Sequence, residues 1–143
     1  MRFLLDTNVF REIGKTEPQT NVAAWLHTVD DVDLAISALT VREVRKGIVK
    51  LAVKKPDVAK LIEERVRETF DAFGHRILPV TREIADLWGD LLAQSDKHTD
   101  DTGLVATARI HGLTLVTRNL DDVSGRGATA LDPFKRVPKI VRP

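Results

Sequence analysis

"FLLDTNVF", residues 3–10, runs three apolar residues into an aspartate, follows with Thr7 and Asn8, and turns apolar again. A short continuous apolar run is the mark of a strand buried on both faces, as in a parallel sheet. Asp6 then stands where that strand leaves the sheet. Two readings of it are open. A side-chain oxygen there can cap the short helix that Thr7–Phe10 would begin. It can also face a ligand, because open parallel sheets hold ligands beyond the carboxyl ends of their strands.

Outward from this stretch the chain alternates strand and helix. Arg2 to Leu5 predicts the first strand, and Thr20 to Val29 a helix with Val22, Leu26 and Val29 on one stripe and Trp25 beside it. VDLAIS (32–37) predicts a second strand. Thr40 is placed as an N-cap, and behind it Val41, Val44, Ile48 and Leu51 recur at spacings of three and four, an amphipathic helix to about residue 54. Pro56 opens the next helix, which carries Val58, Ile62, Val66, Phe70 and Phe73 and closes at Gly74. RILPV (76–80) predicts a short strand, and 82–94 a helix bearing Ile84, Trp88 and Leu91. SDKHTDD (95–101) is polar and predicts a loop. A helix over 101–111 stops at Gly112, and LTLV (113–116) predicts another strand. A glycine-containing turn (125–127), a last strand near 128–131 and a basic, Pro-rich tail (134–143) complete the chain. The alternation predicts an α/β fold, one domain over residues 1–143, with a mostly parallel sheet of about four to five strands between two helical layers.

The composition sets bounds. With 143 residues, 43% hydrophobic and 30% charged, the chain has an ordinary globular balance and can bury a core. No apolar stretch approaches the ~20 residues that span a bilayer, so no membrane partner is expected. The apolar run of MRFLLDTNVF is too short for a signal peptide. The absence of cysteine excludes disulfides and thiolate metal sites and fits a cytoplasmic location. Net charge is only +1, but its distribution is uneven. From Arg42 to Lys60 there are seven Lys/Arg against Glu43 and Asp57, and the tail has four bases and no acid. Such clusters can hold a polyanion, or they can be a solvated helix face and a frayed tail.

Further acids fall at the same predicted edge. Glu43 lies near the start of the 41–54 helix, where Thr40-x-x-Glu43 also makes a capping box. Asp100 and Asp101 open a later helix, and one of them is expected to cap it. Asp101 shares a stripe with Leu104, Val105 and Ala108, so it points inward, whereas Asp100 falls on a wetter side. Asp121 and Asp122 follow the LTLV strand, where a turn or cap is the plain alternative, and Thr117 and Asn119 precede them. Carboxylates brought together repel by about 4 kcal/mol per pair at 4 Å and a dielectric of 20. With no cysteine and with histidines scattered at 27, 75, 98 and 111, zinc is a poor candidate to compensate. An all-oxygen set suits Mg²⁺ or Mn²⁺, and such an ion beside basic patches suits phosphodiester hydrolysis.

The segments LLDTNVF (4–10), SALTVREVRKGI (37–48), DTGLVATARIHGLTLVTRN (101–119) and Asp132-Pro133-Phe134 give the chain a family likeness. In order and spacing it resembles the PIN-domain ribonucleases, and within them the VapC toxins and FitB-like plasmid-stability proteins. The resemblance implies a three-layer PIN-like fold and a Mg²⁺- or Mn²⁺-dependent endoribonuclease acting on RNA. It also implies inhibition by a cognate VapB-like antitoxin and a homodimeric state. Carried over by motif, the metal-binding and catalytic acids are Asp6, Glu43, Asp101 and Asp122, with Asp121 an extra acid beside the last. Asn8, Thr117 and Asn119 are expected to orient a carboxylate or a metal-bound water. Arg42, Arg45, Lys46 and Lys50 are expected to bind RNA phosphates. The chain departs from the family pattern where QSDKHTDD lacks the usual Gly and Pro, where Val123 replaces Phe, and where LDPF replaces NPW or NPF. The competing readings are another phosphoryl-transfer enzyme, such as a phosphatase, and a non-catalytic RNA- or protein-binding module. The first lacks its usual second acid, since Asn8 stands in that place. The second would be expected to have lost an acid, and none is missing.

Overall fold

A computed structural model describes residues 1–143. Six strands form one sheet: β1 (Phe3–Leu5), β2 (Leu34–Ser37), β3 (Ile77–Leu78), β4 (Thr114–Val116), β5 (Ala130–Leu131) and β6 (Ile140–Val141). Their order across the sheet is β3-β2-β1-β4-β5-β6. The first five are parallel, and β6 runs antiparallel to β5. The six helices are α1 (Thr7–Phe10), α2 (Thr20–His27), α3 (Ala38–Lys54), α4 (Pro56–Phe73), α5 (Arg82–Gln94) and α6 (Thr99–His111).

Strand periodicity divides the core. Phe3 and Leu5 of β1 point to one face, where Val9, Phe10, Val22, Trp25, Val44, Ile48 and Phe73 of α1–α4 cover them. Leu4 points to the other face, under Ile84 and Leu91 of α5 and Leu104, Val105 and Ala108 of α6. Both faces of the sheet are therefore dry, and β1 is apolar at every position, as its sequence demands. Trp25 packs edge-on against Phe3 with ring centroids 5.1 Å apart, so it belongs to the core.

Three boundaries differ from expectation. The N-cap of α3 is Ser37, whose hydroxyl accepts the Leu39 N–H at 3.0 Å; Thr40 lies within the helix and is buried. The helix α6 starts at Thr99, so it absorbs the end of the expected loop, and its N-cap is His98 rather than an aspartate. The tail is not frayed throughout, because Ile140–Val141 pairs with β5 as the sixth strand. No helix is long and apolar enough to cross a membrane.

The strand order reverses at β1, with β2 on one side and β4 on the other. Connections from neighbouring strands leave to opposite faces at such a point and open a crevice beyond the carboxyl ends. Asp6 is the residue that β1 delivers there.

Candidate active site

The capping reading of Asp6 holds, and its second oxygen is engaged as well. One carboxylate oxygen accepts the Thr7 N–H at 2.6 Å and caps α1. The other accepts the Thr117 hydroxyl at 2.8 Å, from the residue that follows β4. The backbone closes the same seam, since the Asp6 N–H donates to the Val116 carbonyl at 2.9 Å. Asp6 is buried, and loss of solvent raises its pKa, against the opposing hydrogen bonds from Thr117 and Thr7. Glu43 raises it further and Arg11 lowers it.

Glu43 comes to the same place along α3. With Ser37 as the cap, Glu43 sits beyond the first turn and takes no part in a capping box. Together with Asp6, Thr7, Thr40, Asp100, Asp101 and Leu104 it lines a cavity of about 10 Å³, room for one water-sized body. The Thr7 and Thr40 hydroxyls meet at 3.4 Å in its wall.

The first turn of α6 supplies Asp101. Gly103 lets this helix approach, because a Cβ there would lie 2.8 Å from both Leu39 and Trp88. The Asp101 pKa is raised from 3.8 to about 6, first by burial and then by the charges of Asp6 and Asp122, with Glu43 adding to them and His98 opposing. Asp100 turns aside and pairs with Arg42 at 2.6 Å. Asp122 stands near Asp101, whereas Asp121 is exposed.

Sequence reasoning treated the histidines as scattered, yet His98 stands in this group. Its Nε2 lies 3.6 Å from an Asp122 oxygen, and one ligand atom each from His98, Asp101 and Asp122 fall within 4.8 Å of one another. Its place three residues before Asp101, in the polar stretch that leads into the helix, was the available signal. His98 also holds a left-handed backbone, φ 54 and ψ 53, a conformation that costs a non-glycine residue about 1–2 kcal/mol.

The three expected orienting residues divide. Thr117 is buried, donates to Asp6, and accepts the Asn119 N–H at 3.1 Å. Asn119 contributes through its backbone, and its carbonyl accepts the Asp122 N–H at 3.1 Å. Asn8 is exposed on α1 and joins none of these hydrogen bonds.

Beside the acids runs a cleft of about 550 Å³, lined by Arg11, Arg42, Glu43, Lys46, Gly47, Lys50 and Asp100. Arg42, Lys46 and Lys50 share one stripe of α3, four residues apart. Arg45 lies on another face and pairs with Glu63 of α4 at 2.6 Å. Arg11 is an addition to the expected basic set. A separate apolar groove of about 410 Å³ lies between α1, α3 and α4, lined by Phe10, Ile13, Val44, Ile48, Leu51 and Ile62 among others.

Ion pairs at this edge run from Arg42 to Asp100 and to Glu43, with His98 facing Asp122, and none reaches Asp6 or Asp101. The arrangement therefore holds excess negative charge on oxygen donors, next to a positive channel. That donor set fits a hard divalent cation.

Residues 3–123 match the PIN domain family. The chain is 30% identical over 137 residues to Toxin FitB of Neisseria gonorrhoeae, spanning 92% of this chain and 97% of that one. It is 30% identical over 138 residues to VapC ribonuclease Y4jK of Sinorhizobium fredii, again over 92% and 97%. The crystal structure of FitAcB from Neisseria gonorrhoeae contains a chain that superposes with a TM-score of 0.82 at 29% identity, covering 92% of this chain and 98% of that one.

Proposed function

Because this chain belongs to the PIN domain family, we propose that it is a Mg²⁺- or Mn²⁺-dependent endoribonuclease and the toxin of a toxin–antitoxin pair. One observation carries the chemistry: at the carboxyl edge of the sheet, Asp101 shares a small cavity with Asp6 and Glu43 and lies against Asp122, acids from three other segments. The names of the relatives, Toxin FitB and VapC ribonuclease Y4jK, support the biological reading.

Asp6, Glu43 and Asp101 would hold the ion, with Asp122 completing the site. When bound, such an ion neutralises the clustered charge, acidifies a water and polarises a phosphoryl oxygen. The protein supplies the rest. Thr117 and the amide of Thr7 fix both oxygens of Asp6. Arg11, Arg42, Lys46 and Lys50 line the channel along which the RNA backbone would lie, and draw phosphates toward the acids. Hydrolysis in line at phosphorus would leave a 5′-phosphate and a 3′-hydroxyl. Contacts of this kind read little sequence, so selectivity comes from RNA shape or unstacked bases.

The partner in this reading is a VapB-like antitoxin. The apolar groove between α1, α3 and α4 suits its apolar segment, because Arg11 and Gly47 line both that groove and the cleft beside the acids. A homodimer and a cytoplasmic location belong to the same reading, and light scattering of the purified protein tests the first. The deciding experiment for the chemistry is Asp6→Asn: RNA cleavage with Mg²⁺ should be lost while the fold is retained. A folded variant that cleaves as fast as wild type overturns the proposal.

A further inference from the structure

We propose that His98 donates an imidazole nitrogen to a divalent ion held with Asp101 and Asp122, and so biases the centre toward Mn²⁺ over Mg²⁺. The inference rests on reading the acidic edge as a metal centre.

The first support is geometric. His98 Nε2 and the Asp122 oxygen are 3.6 Å apart, too far for a hydrogen bond and close enough to face a common ion. Asp101 offers its own oxygen within the same 4.8 Å group. Asp101 also lines the small cavity with Asp6 and Glu43, so it stands between the inner acids and this outer set.

The second support is the way the loop is held. His98 is the only residue other than glycine with a positive φ. It caps no amide of α6 with its side chain. The backbone on either side is tied from behind. The buried Arg126 guanidinium donates to the carbonyls of Leu91, Ser95 and Lys97. The Trp88 indole donates to the Thr99 carbonyl at 2.9 Å, and the His98 carbonyl accepts the Thr102 N–H at 2.9 Å. Glycine or asparagine would make the same left-handed turn more readily. What histidine alone adds there is an imidazole, and the tied loop sets it beside the two carboxylates.

The third support is ligand chemistry. Carboxylate and water suit Mg²⁺ and Mn²⁺ alike, whereas an imidazole favours the transition ion. A nitrogen at this position therefore changes ion preference without changing the charge of the site.

The test is pulsed electron paramagnetic resonance of Mn²⁺ added to the metal-free protein, with calorimetry for affinity. Wild type should show electron-spin modulation from a bound ¹⁴N nucleus, replaced by the ¹⁵N signal when histidine is isotopically labelled. His98→Asn and His98→Gly, both compatible with the turn, should lose it. Their Mn²⁺ affinity should fall about tenfold, while Mg²⁺ affinity measured by competition should stay within about twofold. Mn²⁺ binding that depends on Asp6 and Asp101 but shows no histidine nitrogen overturns this inference and leaves the metal centre standing; His98 is then only a counter-charge for Asp122. Absence of any divalent-ion binding overturns both.

Discussion

Replacing Asp101 with asparagine should disable the proposed metal centre and, in the metal-free protein, make the fold more stable. Burial and the charges of Asp6 and Asp122 raise the Asp101 pKa from 3.8 to about 6. At about 1.4 kcal/mol per pH decade, that rise represents about 3 kcal/mol of strain on the ionised form. The side chain is only half-buried, so water screening reduces this to about 1–2 kcal/mol. No hydrogen bond is removed in the exchange, since the Asp101 carboxylate pairs with no donor. The sign follows from the direction of the shift. Below 3.8 the group is protonated in folded and unfolded chains alike, and the variant gains nothing. Between 3.8 and about 6 the unfolded chain releases this proton while the fold holds it, so wild-type stability declines across that window and levels off above it, where the fold carries the unfavourable charge.

Urea denaturation in a chelator should therefore place Asp101→Asn about 1–2 kcal/mol above wild type at neutral pH, a melting-point rise of about 3–8 °C. The difference should shrink as the pH falls toward 4. Excess Mn²⁺ at neutral pH should then reverse the order, because ligand binding stabilises only the chain that keeps its site. A variant less stable than wild type in chelator at neutral pH, or a difference that ignores pH, refutes the claim that uncompensated charge is stored at Asp101.

Thr117→Val removes the hydroxyl that donates to Asp6 and should destabilise the fold by about 1–3 kcal/mol, with weaker Mn²⁺ binding in calorimetry. Gly103→Ala places a methyl group against Leu39 and Trp88 and should cost about 1–3 kcal/mol by urea denaturation, through displacement of α6. On the proposed function, Lys46→Ala with Lys50→Ala should weaken RNA binding and flatten its salt dependence by about 0.7 in the logarithmic slope for each phosphate no longer neutralised, measured by fluorescence anisotropy without divalent ions. Arg45→Ala should leave that slope unchanged, since its guanidinium is engaged with Glu63.

The readable part of this chain is the part set by local periodicity. β1, α3, α4 and α5 follow from apolar spacing, and Pro56 and Gly74 bound α4 as their backbone preferences require. Boundaries settled by competition between similar residues were not readable. Ser37 and Thr40 are both good caps, and the choice fell to Ser37 because β2 ends there and α3 begins at once. His98 displaced two aspartates as the cap of α6, although it lacks their short acceptor oxygen. Local bonds help, since the Thr102 hydroxyl donates to the His98 carbonyl at 2.8 Å, but Arg126, twenty-eight positions downstream, holds the preceding carbonyls in place. The pairing of Ile140–Val141 is equally non-local, since so short a strand exists only because β5 offers an open edge.

The same distinction governs the site. Each acid was visible as a candidate, and each had an ordinary structural explanation as a cap or turn residue. Only the order β3-β2-β1-β4-β5-β6 brings those separate candidates to one edge, by placing the ends of β1, β2 and β4 side by side at the reversal; Asp6, Glu43 and Asp101 line one small cavity, and Asp122 meets Asp101 beside it. The two roles are also compatible in a single side chain. Asp6 gives one oxygen to the amide of Thr7 and the other to Thr117, so a residue that caps a helix is at the same time fixed against the segment that follows β4, as the proposed metal role requires. Capping by a carboxylate at a strand end is thus no argument against function there. The discriminating feature is whether burial and neighbouring carboxylates outweigh the nearby cations, and at Asp6, against Arg11, and at Asp101, against His98, they do: both pKa values are raised.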